Sequence, residues 1–304
     1  MSEKDIAAIY AFIITSVKPV NYDPPKTQLN FPWNIRNGLS LWNLLFLDKT
    51  KWQADPARDE EWNTGSYIVE GIAHCGSCHS PRNILGAEKR GSQVYSGGYS
   101  GNWYAPKLFS DPSSVSSFTM NSIVNYLLDG WDKSLGIAAG PMTKVVNNLY
   151  DGEEDDAFAI ATYIKSLGPT SNKDDIANFE KKILALKQLE WGNPNSPPLP
   201  RKGKLEEGAN VFKKQCSKCH KSGRKTSLVG FVGPLNHNEP YNVINVILEG
   251  IKPPLGSLKR EMPSRKNEIN NTQLVSLLMF LRSRFSTKEP WPNLELKIAK
   301  IRPQ

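Results

Sequence analysis

Three stretches of the chain repeat one pattern of apolar and polar positions. Each opens on a polar residue, continues with apolar residues at the spacing of a helix face, and carries an aromatic residue seven positions after its opening. The stretches and their aromatic residues are 5–13 with Phe12, 156–164 with Tyr163, and 273–281 with Phe280. The pattern predicts three amphipathic helices that belong to a repeated structural unit. Their predicted caps or near-caps are Ser2, Asp151 and Asn271.

Proline-rich stretches separate these helices from the rest of the chain. Residues 18–32 contain four prolines and little periodicity, which predicts an extended connection. Residues 191–202 are also rich in proline and predict a semi-rigid linker. The apolar run at residues 39–47 is far shorter than the roughly 20 residues that span a bilayer, and it is expected to lie in a core. The predicted fold is mostly α-helical with long loops.

All four cysteines belong to two copies of one motif, Cys-x-x-Cys-His. The copies consist of Cys75, Cys78 and His79, and of Cys216, Cys219 and His220. Cysteines three apart on a helical turn share a face, so both thiols can reach the two vinyl groups at one edge of a porphyrin. The adjacent histidine can then place a ring nitrogen on the iron. The motif is typical of covalent haem attachment, and we expect two covalently bound haems c, each with its histidine as an axial ligand.

Three other interpretations use the same cysteines. Two Cys-x-x-Cys knuckles could bind one zinc ion through four sulfurs, but the histidine after each pair would then be a coincidence. Redox-active pairs of the thioredoxin type usually follow a strand in a βαβ unit, and no such pattern occurs here. Structural disulfides are the third interpretation. Two copies that include every cysteine favour haem over all three.

The motifs divide the repeat into units. In the two units that contain a motif, the motif precedes the helix with the aromatic residue. The first helix has no motif before it, so residues 1–17 are expected to be the last helix of a further haem domain, with an ordinary N-terminal helix as the alternative. Residues 18–52 then form an inter-domain segment, and the two cytochrome c domains take residues 53–190 and 203–288. Residues 289–304 form a C-terminal tail.

Two methionines are candidates for the second axial ligand of each iron. A thioether sulfur opposite histidine raises the reduction potential of a haem. Met142 and Met262 each lie beside a proline, in predicted loops that lead towards equivalent helices, and we expect them to be the distal ligands. Core packing is the usual role of methionine, and it is expected for Met120 and Met279. His237 is the alternative ligand.

A ligating histidine usually donates its second ring N–H to a backbone carbonyl. Pro106 and Pro234 are the candidates for this carbonyl, and the alternative is that both are only turn prolines. His74 directly precedes Cys75 and is expected to point away from the same iron.

Composition and charge exclude other classes of function. The chain has 304 residues, of which 39% are apolar and 22% charged, as in a globular protein. Its formal net charge is +8, but no dense tract of Lys and Arg occurs, so no nucleic-acid partner is expected. No basic segment precedes the first apolar residues, so no signal peptide is predicted. This expectation conflicts with thioether attachment, which would require export to an oxidising compartment.

The first haem motif and its flanks carry a family resemblance. Residues 62–71, which lead into Cys75, and residues 80–83, which follow His79, resemble the second haem domain of the multi-haem cytochrome c subunits of bacterial membrane-associated dehydrogenases. Residues 139–142 are similar to the distal-ligand loop of that family.

Other segments extend the resemblance over nearly the whole chain. Residues 2–20 are similar to the end of the family's first haem domain, and residues 31–36 and 42–46 to its inter-domain segment. Residues 282–286, followed by Trp291, look most like the branch that serves molybdenum hydroxylases of the nicotinate and isoquinoline type. The family normally has three haems and a signal peptide, and the first haem's motif and distal methionine have no counterpart here.

The resemblance implies tandem class-I-like cytochrome c domains and a role in electron transfer without catalysis by this chain. The implied partner is the catalytic subunit of a dehydrogenase, either a molybdenum hydroxylase or a flavin- or quinone-dependent enzyme. The implied electron acceptor is a quinone or a terminal oxidase. The implied location is the periplasm, with peripheral association with the inner membrane.

Two rival functions make different predictions. A two-haem peroxidase needs an iron with an open distal site, and methionines at similar positions in both units argue against it. A non-functional fragment would bind no haem. A pyridine haemochrome spectrum distinguishes the fragment from a cytochrome, and peroxide turnover distinguishes the peroxidase.

Overall fold

Most of the described residues form helices, which belong to two units, and two short hairpins lie in the first unit. The structure is a computed structural model that describes residues 1–32, 34–109, 114–132, 134–168, 181, 184–185, 195, 198–220, 233–257 and 260–302. Its helices in these ranges are α1 (Glu3–Ser16), α2 (Gly38–Phe46), α3 (Glu60–Tyr67), α4 (Gly76–His79), α5 (Met120–Asp129), α6 (Pro141–Tyr150), α7 (Glu154–Ser166), α8 (Lys204–Gln215), α9 (Tyr241–Glu249), α10 (Asn271–Phe285) and α11 (Leu294–Ile301). The antiparallel strand pairs are β1 (Gly98–Ser100) with β2 (Trp103–Ala105), and β3 (Trp131–Asp132) with β4 (Gly136–Ile137). The predicted fold class, mostly α, is confirmed.

The three repeated stretches form helices α1, α7 and α10, as predicted. Ser2 caps α1 because its Oγ accepts an N–H of the first turn at 3.1 Å. Helix α10 begins after Asn270, which forms a capping box with Gln273, so the cap lies one residue before the predicted one. Helix α7 has Glu153 at its N-cap without a side-chain cap, so Asp151 is not its cap. Acidic residues in the first turn of α7 stabilise the positive end of its dipole instead.

Helices α7 and α10 each cross an earlier helix at a glycine. Gly65 of α3 lies so close to α7 that a Cβ atom there would be 1.9 Å from the carbonyl oxygen of Ala159. Gly208 of α8 lies equally close to α10, where a Cβ would be 2.0 Å from the carbonyl oxygen of Ser276. Ala159 and Ser276 occupy the same position in the repeat, three residues after its opening residue. The sequence repeat is therefore also a repeat of helix packing.

Each unit has its own hydrophobic core. Helices α3, α5 and α7 contribute to the first core, whose large buried residues include Val69, Phe118, Ile123, Leu127, Ile160 and Ile164. Helices α8 to α11 contribute to the second, whose large buried residues include Ile244, Ile247, Leu274, Leu277, Leu278, Trp291 and Ile298. Burying one such side chain stabilises the fold by about 1.5–3 kcal/mol. The predicted domain boundaries stay predictions, because residues 169–180 and 186–194 lie outside the described residues.

The two units contact each other through backbone and amide groups. The Asn242 side chain of α9 accepts the N–H of Tyr104 in β2 at 2.8 Å and donates to the carbonyl of the same residue at 2.9 Å. Asn245, one turn further along α9, donates to the carbonyl of Asn102 at 2.8 Å. Asn245 is almost fully buried. These bonds hold the second unit against the first hairpin in one register.

Helices α1 and α2 differ from the others because neither has a buried residue. The backbone N–H of Ser2 donates to the Tyr67 hydroxyl at 2.7 Å, and Trp42 Nε1 donates to the carbonyl of Leu85 at 3.0 Å. The prediction that residues 39–47 lie in a core is wrong, since Leu44 is 81% exposed. Trp42 attaches α2 to the first unit, and the leucines of this helix are exposed. Within the described ranges, no helix has the length and hydrophobicity to cross a membrane.

Candidate functional site

The first Cys-x-x-Cys-His motif follows a change in backbone conformation at the end of α3. Residues Ile68–Ile72 form a π-helical turn, and His74 has a φ of 39°, in the left-handed region. Both features are uncommon for such residues and are often found at functional sites. The chain then forms one helical turn, in which the N–H groups of Cys78 and His79 bond the carbonyl of Cys75 at 3.2 and 2.9 Å. This turn carries both thiols and the imidazole.

The second motif forms the same turn directly after α8. The N–H groups of Cys219 and His220 bond the carbonyl of Cys216 at 3.1 and 2.9 Å, nearly the distances of the first motif. Ser217, between the cysteines, donates its hydroxyl to the carbonyl of Lys213 at 2.7 Å and ties the turn to α8. The two motifs therefore have the same local geometry, as the identical spacing predicts.

The imidazole of His79 is held by a backbone carbonyl. Its Nδ1 lies 2.7 Å from the carbonyl oxygen of Pro106, which confirms the partner predicted from the sequence. Burial lowers the pKa of His79, and the bond to Pro106 opposes this shift. A neutral ring that donates from Nδ1 carries its lone pair on Nε2, which is the form that binds a metal.

The imidazole of His220 has a different environment. Its Nδ1 is buried and has no hydrogen-bond partner among the described residues. Burial lowers the pKa of His220, and the positive charge of Arg265 lowers it further, so both favour the neutral ring. The carbonyl of Pro234 instead accepts the N–H of His237 at 3.2 Å. The prediction that Pro234 holds His220 is therefore wrong for this structure.

The first thiol of each motif is unlike that of a reactive cysteine. Burial raises the pKa of Cys75 to about 11 and the pKa of Cys216 to about 11. Redox-active and nucleophilic cysteines have a lowered pKa, because the thiolate is their reactive form. No disulfide joins the four cysteines, all of which lie in described ranges. The redox-pair and disulfide interpretations therefore have no support here.

A cavity of about 1800 Å³ lies between the two units and is lined by residues of both motifs. The residues of the predicted sites that line it are Cys75, Cys78, His79, Met142, Cys216, His220 and Met262. Cys219 is exposed and is not among the lining residues that the structure describes. Sites for a single small ligand usually measure about 300–1,000 Å³. The cavity is thus large enough for two large ligands, and its lining is mainly apolar.

The two predicted distal ligands reach this cavity from different elements. Met142 is the second residue of α6 and lies in a helix, whereas a loop was predicted. Met262 lies in an extended segment, where its N–H and carbonyl pair with Ile251 at 3.1 and 2.8 Å. Met120 and Met279 pack against the two cores, in the structural roles predicted for them.

The residues present fit covalent haem. The cavity offers an imidazole and a thioether from each unit, two thiols from the first unit and the Cys216 thiol from the second, in mainly apolar surroundings. His79 also has the carbonyl partner that is usual for a ligating histidine, whereas His220 has none among the described residues. No group of three or more His, Cys, Asp or Glu residues that could hold a metal ion occurs in the described part of the chain, which disfavours the zinc interpretation.

An aromatic wall of the cavity was not predicted from the sequence. The aromatic residues that the first unit contributes to the lining are Trp103, Tyr104, Phe118, Tyr126 and Trp131. They come from β2, β3, α5 and the turn before α5, so no single periodicity connects them. The abundance of tryptophan, eight in the chain, was the only sequence feature that pointed to them.

His74 and His237 also line the cavity. The ring of His237 packs edge-on against Tyr104, with 4.3 Å between ring centroids, so these two residues bring the units together beside the cavity. Burial, together with the charge of Arg282, lowers the pKa of His237 to about 4, and its ring is neutral at pH 7.

Comparison with known proteins finds a match to a described family within the second unit. Residues 203–281 match the family described as cytochrome C oxidase, cbb3-type, subunit III. This range contains the second motif, Met262 and most of α10.

Relatives extend over more of the chain. It is 35% identical over 310 residues to a nicotinate dehydrogenase subunit of Pseudomonas putida, an alignment that covers 99% of this chain and 24% of that protein. It is 29% identical over 313 residues to the fructose dehydrogenase cytochrome subunit of Gluconobacter japonicus, covering 95% of this chain and 62% of that one. A diheme cytochrome c-type protein of Cereibacter sphaeroides is 35% identical over 166 residues, 53% of each chain. The chain therefore spans less than two thirds of the length of these relatives.

Proposed function

This chain is homologous to the cytochrome c subunits of bacterial dehydrogenases, and on that premise we propose that it is an electron carrier with two covalently bound haems c. The observation that carries the proposal is that two motifs with the same helical turn line one cavity. When bound, a haem supplies one-electron exchange at its iron.

In each unit, different residues attach the haem and bind its iron. Cys75 and Cys78 in the first unit, and the equivalent pair Cys216 and Cys219 in the second, are the proposed attachment points. His79 and His220 are the proposed proximal ligands, and Met142 and Met262 the proposed distal ligands. The Pro106 carbonyl orients His79. The mainly apolar lining of the cavity suits the apolar face of a porphyrin.

The proposed electron donor is the catalytic subunit of a dehydrogenase, and the proposed acceptor is a quinone or a terminal oxidase. Support comes from the names of the relatives, which are subunits of nicotinate, fructose, alcohol and gluconate dehydrogenases, the alcohol enzymes being designated quinone-dependent. A molybdenum hydroxylase and a flavin- or quinone-dependent enzyme are both compatible with this range of relatives. The proposed location is the periplasm, at the surface of the inner membrane.

The haem count tests the proposal. We expect two haems c per chain by pyridine haemochrome assay when the protein is exported from an added leader in a host that matures cytochromes c. The double substitution Cys75→Ser with Cys78→Ser should leave one haem, because it removes both attachment points of one unit. The equivalent substitution at Cys216 and Cys219 should also leave one.

Ser77→Ala provides the matched control, since Ser77 lies between two cysteines and should not change the count. A colourless protein, or a count that the cysteine substitutions leave unchanged, would refute the proposal.

We further propose that α1 is the last helix of an additional cytochrome c domain, whose other helices are supplied elsewhere in the complete protein or its complex. Ala8 has the same position in α1 that Ala159 has in α7 and Ser276 has in α10. At Ala159 and Ser276, a glycine of the neighbouring helix lies against the backbone. Phe12 has the position of the buried Tyr163 and yet is 61% exposed. The apolar face of α1 therefore suits a glycine-containing helix.

Hydroxyl-radical footprinting tests this pairing. In the isolated protein, Phe12 and the 70% exposed Tyr22 should both react. In the native dehydrogenase complex, Phe12 should be protected and Tyr22 should not. Equal reactivity of Phe12 in both samples would contradict the pairing of α1.

A further inference from the structure

Arg282 is a buried cation in the wall of the second unit. It is only 4% exposed and lies on α10, behind the loop that forms one side of the cavity. Its guanidinium donates to the carbonyls of Leu235 and His237, the latter at 2.9 Å, and its Nε donates to the carbonyl of Glu289 at 2.9 Å. These acceptors are neutral carbonyl oxygens.

The charge of Arg282 has no carboxylate partner in the described part of the chain. A buried charge is usually paired, because its transfer from water costs several kcal/mol. Here the guanidinium also lies over the ring of Trp291, 4.3 Å from its centroid, which stabilises the cation without neutralising it. Trp291 donates its ring N–H to the carbonyl of His237 at 2.8 Å and so braces the same loop.

Only one layer of residues separates this cation from the cavity. Leu235 and His237, whose carbonyls it bonds, both line the cavity, and so does Leu281, its neighbour on α10. The charged residues that line the cavity themselves are all half-buried or exposed, so water screens them: Lys107, Asp129, Arg260, Glu261 and Lys288. The field of Arg282 is not screened in this way.

We propose that Arg282 raises the reduction potential of the haem attached at Cys216 and Cys219. The proposal rests on the proposed function. Gain of one electron by the ferric iron lowers the charge of the centre by one unit, so a fixed positive charge nearby stabilises the reduced form. Arg282 positions the loop at 235–237 through its hydrogen bonds. Its charge, in addition, acts on the reduction potential of the haem.

Redox titration of the purified two-haem protein tests the proposal. Arg282→Met removes the charge and keeps an unbranched side chain. It should lower the midpoint potential of one haem, so that its reduced-to-oxidised ratio at a fixed ambient potential falls on the order of three- to tenfold. Arg282→Lys keeps the charge with fewer donors, and it should lower thermal stability but retain most of the potential. Arg284→Met, a half-buried arginine on the same helix, is the matched control and should leave both potentials unchanged.

The outcomes separate this inference from the proposed function. A two-haem Arg282→Met protein with unchanged potentials would overturn the role of Arg282 and leave the proposed function intact. Equal shifts in the methionine and lysine variants would also overturn it, because loop position and not charge would then be the cause. If Arg282→Met does not fold, Arg282→Gln, which keeps amide donors, should give the same loss of potential. A wild-type protein without haem would instead refute the proposed function.

Discussion

Met142→Ala is expected to lower the reduction potential of one haem by about 0.1–0.3 V, within the range of roughly 0.8 V that axial ligands span. The reason is that a thioether sulfur favours ferrous iron relative to water or an open site. The same substitution should remove about half of the sulfur-to-iron charge-transfer absorption, since the other haem keeps its methionine. Met262→Ala should remove the other half. Potentiometric titration and near-infrared absorption of the oxidised protein measure both effects.

Met279→Ala is the control for this pair. Met279 packs against the second core from α10 and is not among the described residues that line the cavity. Its truncation should lower stability and leave the charge-transfer band intact. A full band in a two-haem Met142→Ala protein would show that another residue is the ligand. For the second haem, His237 is that candidate, and the double variant Met262→Ala with His237→Ala would then lose the ligand that the single variant kept.

Gly208→Val is expected to destabilise the second unit by about 3 kcal/mol, the upper end of the usual cost of overpacking. A Cβ atom at this position would lie 2.0 Å from the carbonyl oxygen of Ser276, which is backbone and cannot rotate away. Helices α8 and α10 must therefore separate, and the second motif, which continues directly from α8, moves with them. Denaturant unfolding should show the loss of stability, and the haemochrome assay should show loss of the second haem with the first retained. Gly65→Val should produce the reverse selectivity, because Gly65 meets α7 in the first unit.

Gly38→Val is the control, because it makes the same change of residue type at a helix position without a close neighbour. Gly38 also lies in a helix, but a Cβ there would meet nothing within 4 Å. If Gly208→Val unfolded at the same denaturant concentration as Gly38→Val and kept both haems, the close helix crossing would not be what holds the second unit together.

Local features of this protein were predictable from its sequence because they depend on neighbours along the chain. The period of apolar residues predicted α1, α7 and α10, since that period follows from the geometry of the helix itself. The Cys-x-x-Cys-His spacing predicted two equal turns at Cys75 and Cys216, because residues three and four apart in a helical turn lie together. The partner of His79 was also found, through the proline at 106 in a candidate turn.

The predictions that failed concern which surface a residue faces. Residues 39–47 are as apolar as a core segment, yet Leu44 is exposed, because burial depends on which other elements pack there and not on hydrophobicity alone. Pro234 resembles Pro106 in sequence, but its carbonyl accepts the N–H of His237 and not a ring nitrogen of His220. The carbonyls of Pro106 and Pro234 thus have different hydrogen-bond partners, because the loops around the two prolines differ.

By itself the sequence determined the helices, the repeat and the chemistry of the two motifs, since each of these depends on residues that lie close together in the chain. Only the tertiary structure decided that both motifs line one cavity, that Asn242 joins the units through Tyr104, and that Arg282 lies behind the cavity without a carboxylate among the described residues. These contacts join residues 45 or more positions apart. Such pairs form only when the cores bring distant elements together, and no local pattern of residue types records them.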